Sequence, residues 1–117
     1  MESRKVNVIN MLQLLSDPVR QDEYDRNVPI ANVAVELVNG WFDDSFLKEF
    51  AWFKEIFSDD EWEVLIEFDN FYDTRVKKLP DNYPDLRESY FWKEIIGKAN
   101  WALDMLGWRG VEVKYDE

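Results

Sequence analysis

The chain has 117 residues, a length that fits one domain around one hydrophobic core. Apolar residues make up 46% of it and aromatics 16%, with six Trp and eight Phe, which excludes a disordered acidic tail. With no Cys and no His it lacks disulfides, thiolate nucleophiles, Cys-based zinc sites and the commonest general base, and a net charge of −11 argues against nucleic acid as a ligand.

In chain order, Val8, Met11, Leu12 and Leu15 recur at helical spacing and predict a first helix over Lys5 to Leu15. Asp17 is an N-cap followed by Pro18 at the first helical position, which predicts a short second helix to about Asp25. Asn27-Val28-Pro29 interrupts it. Ile30, Val33, Ala34, Leu37 and Val38 then share a helical face, with Gly40 placed as a left-handed C-terminal cap. The β-rich run Val33 to Val38 keeps a buried strand open at this point.

Asp43-Asp44-Ser45 offers the next cap, and Phe46, Phe50, Phe53 and Phe57 form an apolar stripe on a helix from Asp44 to Phe57. Ser58 and Glu61 make a capping box. The helix it starts is expected to run through Trp62, Leu65, Ile66, Tyr72 and Val76 to Leu79, with Lys77 and Lys78 matched to the dipole of its last turn. After the turn-rich Pro80 to Asp85, the Asp85/Glu88 spacing repeats the box and opens a last long helix. It carries Trp92, Ile95, Ile96, Ala99, Leu103 and Leu106 and stops at Gly107, leaving Val111 to Tyr115 as an extended tail or edge strand. The expected fold is therefore mainly α, a single acidic helical domain over residues 1–117 with five to six helices and a short C-terminal strand as an option. No apolar stretch reaches the length of a membrane span and no small-residue cleavage site follows the N-terminus, so the expected location is the cytoplasm.

Charge is concentrated. Between Asp43 and Asp73 there are eleven acidic residues against two lysines, a net of −9, and −2 elsewhere. On the helix after Ser58, Asp60, Glu63, Glu67, Asn70 and Thr74 fall opposite the apolar stripe, so three carboxylates share one strip. Asp43 and Asp44 are placed to extend it. A solvated helix face accounts for such a strip as well, but like charges in one place repel each other and also attract a basic partner. Trp52 falls away from the Phe stripe, as an exposed interface anchor would. Trp101, opposite Trp92 on the last helix, reads better as core. Asp69 lies inside the apolar stripe and must be paired or hydrogen-bonded there, with Arg and Tyr available as partners, a satisfied buried polar group rather than a catalytic acid. Glu63 and Glu67 also have the spacing of helical metal ligands, without the histidines such sites use.

Asn39-Gly40-Trp41-Phe42-Asp43-Asp44, Phe50-Ala51-Trp52-Phe53, Ser58-Asp59-Asp60-Glu61-Trp62 and Phe68-Asp69-Asn70-Phe71-Tyr72 resemble the small acidic immunity proteins of bacterial polymorphic toxin systems in their mix of aromatic and acidic residues. That resemblance implies a cytoplasmic, non-enzymatic inhibitor without cofactor or metal, which binds a basic toxin domain and neither nucleic acid nor membrane. The residues set for partner binding are Asp43, Asp44, Trp52, Asp60, Glu63 and Glu67. A structural adaptor or homo-oligomer burying its aromatics in a self-interface is the competing reading.

Overall fold

A computed structural model describes residues 2–28 and 32–112. Seven α-helices among the described residues make it mainly α: α1 (Ser3–Leu15), α2 (Pro18–Asn27), α3 (Val33–Gly40), α4 (Ala51–Lys54), α5 (Asp59–Asp73), α6 (Tyr83–Glu88) and α7 (Tyr90–Leu106). A π-turn at Trp41–Ser45 follows α3, and a 3-10 turn at Val76–Lys78 follows α5. No strand occurs among the described residues, and no helix there is long and apolar enough to cross a membrane. Of the expected tail, Val111 and Glu112 adopt no regular structure; Val113 to Tyr115 lie outside the described residues, as do Pro29 and Ile30.

The chain has more and shorter helices than the five to six expected, and each break has a local cause. Val33 to Val38 is helical, but Gly40 does not stop the helix. It stays right-handed, with φ −58°, and the chain continues into the π-turn. The role of Gly40 is close packing, because a Cβ there would stand 2.6 Å from the Met11 methyl. The π-turn closes when the Phe46 amide donates to the Trp41 carbonyl at 2.8 Å. Phe46 then turns extended and stacks on Trp41 at 4.9 Å. That stack replaces the continuous helix expected from Asp44 to Phe57, of which only α4 forms. Phe46, Phe53 and Phe57 are buried as the stripe required, whereas Phe50 is exposed.

Helix α5 ends at Asp73 instead of reaching Leu79. The Thr74 hydroxyl and the Arg75 guanidinium both donate to the Phe71 carbonyl. The Arg75 amide bonds the Tyr72 carbonyl instead, at 2.9 Å, and the backbone tightens into the 3-10 turn. Asp85 does not open the last helix. Asn82 caps α6 by accepting from the Asp85 amide, and Ser89, in extended conformation, breaks the chain and caps α7. Gly107 ends α7 as expected, with φ 71°.

Helices α1, α5 and α7 form the scaffold, with α7 packed against both others. The core is one cluster, and the polar groups of Asp69, Gln21 and Tyr72 are built into it. Asp69 accepts the Trp41 indole N–H at 3.0 Å and binds the Lys48 ammonium, so its partners are Trp and Lys where Arg or Tyr was expected. Gln21 accepts the Trp92 indole N–H at 3.0 Å and donates to the Leu14 and Leu15 carbonyls. The Tyr72 hydroxyl donates to the Val38 carbonyl at 2.9 Å. Each network ties distant segments together while leaving its buried polar atoms paired.

At the edge, Asp22 of α2 is held by the Tyr83 hydroxyl and by Arg87, which joins α2 to α6. These two donors, Tyr83 first, hold the Asp22 carboxyl below its ordinary value of 3.8. Because the folded pKa is the lower one, this stabilisation is complete above the unfolded value and disappears as pH falls through the folded one. Asp22→Asn should therefore flatten the acid limb of a urea-unfolding stability profile below about pH 4 and change the pH dependence little at neutrality.

Candidate functional site

Ser58 starts the site. Its hydroxyl accepts the Glu61 amide at 3.1 Å while the Glu61 carboxylate accepts the Ser58 amide at 2.9 Å. The box places Asp59, Asp60 and Glu61 in the first turn of α5, where the helix dipole favours negative charge. Leu65, Phe68, Asp69 and Tyr72 turn inward. The opposite face, carrying Asp60, Glu63, Glu67, Asn70 and Thr74, is accordingly exposed.

The carboxylates on that face are not equivalent. Glu67 is paired with Lys98 at 2.7 Å, and the Lys98 ammonium also sits 3.7 Å from the Trp101 ring centroid. Asp60 and Glu63 have no ion pair among the described residues. Their neighbour Glu61 takes Lys5 at 3.2 Å, and Lys5 lies over the Phe57 and Trp108 rings. On this face the carboxylates without an ion pair are thus the two nearest the start of α5, which span about one turn. Beside it a shallow groove runs between α5 and the end of α7, lined by Asp60, Glu63 and Val64 on one side and Met105 and Leu106 on the other. Met105 is 61% exposed.

Trp52 is 46% exposed. It stacks on Phe50 at 5.5 Å, and the Arg4 guanidinium lies 4.9 Å from its ring centroid. Arg4 reaches Trp52 while Lys5 reaches Glu61, so the first turn of α1 stands between the aromatic pair and the start of α5. Arg4 and Phe50 were missed in the sequence, Phe50 because the stripe assigned it to the core. Met105 was missed as well, although helical spacing puts it off the face of Trp92, Ile95 and Leu103.

Asp43 and Asp44 are exposed on the π-turn but do not extend the α5 strip. Asp44 lines a groove with Asn7, Asn10, Leu14 and Arg20, on the side of α1 opposite Lys5, and both line a second with Met11 and with Glu36 and Asn39 of α3. There the Tyr24 hydroxyl donates to Glu36 at 2.6 Å, and this bond raises the phenol pKa. The chain therefore has two separate acidic patches. Among the described residues no three acidic side chains are gathered closely enough to hold a metal ion.

No protein-family model, characterised protein or solved structure matches this chain.

Proposed function

We propose that the chain is an inhibitory binding protein of the immunity type, which takes a basic toxin domain in the cytoplasm and does no chemistry itself. The observation that carries this reading is the pair of exposed carboxylates without ion partners, Asp60 and Glu63, at the start of a dipole-favoured helix, with the half-exposed Trp52 across the first turn of α1. Charge of one sign left unpaired at a helix start costs some self-repulsion, and a cationic surface relieves it on binding. Trp52 supplies what charge cannot. A large aromatic desolvated at an interface typically contributes about 2 kcal/mol or more, measured by truncation. Arg4, now over that ring, is the group an incoming partner would displace or join. Glu67, neutralised by Lys98, lies outside the steering set, and Asp43 and Asp44 belong to a face that the same partner would reach only by wrapping around α1.

This reading expects the adjacent reading frame to end in a basic toxin domain, and co-expression of such a domain with the chain tests it. The wild-type chain should restore growth, and Trp52→Ala combined with Asp60→Lys and Glu63→Lys should not, although circular dichroism shows the triple variant folded. Equal protection by the two proteins would refute the assignment of this face.

A further inference from the structure

The helix α7 carries a feature that its own chain does not explain. Gly97 lies in mid-helix, where glycine is less favourable than alanine. It is exposed, and a Cβ built on it would meet nothing within 4 Å. No contact within the chain requires a glycine there. The residues around it are arranged symmetrically: Lys93 and Trp101 stand four positions to either side, and Tyr90 and Asp104 stand seven. All lie within about 40° of Gly97 around the helix axis. Tyr90 is 71% exposed and Trp101 is half-buried. Asp104 gives one carboxylate oxygen to Arg109 and has no partner for the other among the described residues.

We infer that Gly97 is the crossing point of a homodimer in which α7 packs antiparallel against α7 of a second copy. A two-fold axis through that crossing brings Lys93 towards Trp101 of the second copy and Tyr90 towards its Asp104, and it repeats both contacts in reverse. A cation meets a ring and a phenol donor meets a carboxylate. A parallel pair would instead set Lys93 on Lys93 and Asp104 on Asp104. The missing side chain at Gly97 lets the two backbones approach where they cross.

Charge selects the same occupant. The excess of −9 lies between Asp43 and Asp73, whereas Tyr90–Leu106 balances Lys93 and Lys98 against Glu94 and Asp104. Two copies of a chain at −11 meet with least repulsion on this neutral helix, whereas a basic partner is drawn towards the acidic excess outside it. One helix face buries less than the roughly 1,600 Å² of a standard interface, so the dimer is a weak, reversible one. It leaves Trp52 and the start of α5 to the partner proposed above and stands independently of that reading.

Sedimentation velocity of the intact chain over roughly a hundredfold range of concentration should show a monomer–dimer equilibrium. Gly97→Glu should weaken it at least about tenfold with no change in circular dichroism, because the space above Gly97 is open in the monomer. Tyr90→Ala, on a solvent-facing side chain, should weaken it severalfold and guards against loss of fold in the first variant. A wild-type chain that stays monomeric throughout, or a dimer that both variants leave intact, would overturn the inference.

Discussion

Trp41→Ala should be the most damaging single substitution in the core, lowering the unfolding free energy by about 4 kcal/mol or more in urea denaturation. Trp41 is fully buried, stacks on Phe46 and meets Phe68 edge-on at 4.8 Å. Truncation opens a cavity among three elements and removes the indole N–H from Asp69, itself 1% exposed. The second effect is separable. Trp41→Phe keeps a ring in the stack but leaves Asp69 short of a buried donor, a loss of about 1–3 kcal/mol. Against a total stability of roughly 5–15 kcal/mol for a domain of this size, the alanine variant should approach unfolding at physiological temperature while the phenylalanine variant stays folded.

The largest functional effect should come from reversing charge at the start of α5. Electrostatic steering accelerates association by about 10- to 1,000-fold, and most of it should reside in the exposed, unpaired Asp60 and Glu63. Asp60→Lys with Glu63→Lys should slow association with a basic partner by about tenfold or more at low salt. The difference should shrink towards unity near about 1 M salt, where the screening length is about 3 Å. Reversal at Glu67 should do less, because Lys98 already cancels that charge locally. Stopped-flow association rates of the two variants against wild type measure this directly.

Much of this architecture was legible because local rules and tertiary packing agree. The Asp17–Pro18 start, the Ser58 capping box and the positive φ of Gly107 are each written in neighbouring residues, and each is present. Trp52 was legible for a similar reason, since a residue displaced from an apolar stripe has nowhere to bury. The misreadings are of another kind. The Phe stripe is real, but helical periodicity carries no information that Trp41 captures Phe46 by stacking and ends the regular helix there. Gly40 looked like a stop signal because glycine is common at helix ends, whereas here it makes room for Met11, twenty-nine positions earlier. The acidic strip was placed correctly on the surface. That Glu67 is neutralised was not legible, because its partner Lys98 comes from α7, thirty-one positions away. Asp43 and Asp44 are near α5 in sequence charge but are separated from its start by α1 in space.

The central claim is that unpaired carboxylates at the start of α5 draw in a basic macromolecule. Its most direct test is the association rate of the wild-type chain with a basic toxin domain that it protects against, measured across ionic strength. The account predicts a rate that falls steeply from low salt to about 0.5 M, with a slope that Asp60→Lys and Glu63→Lys abolish. A wild-type rate that does not change with salt would contradict it.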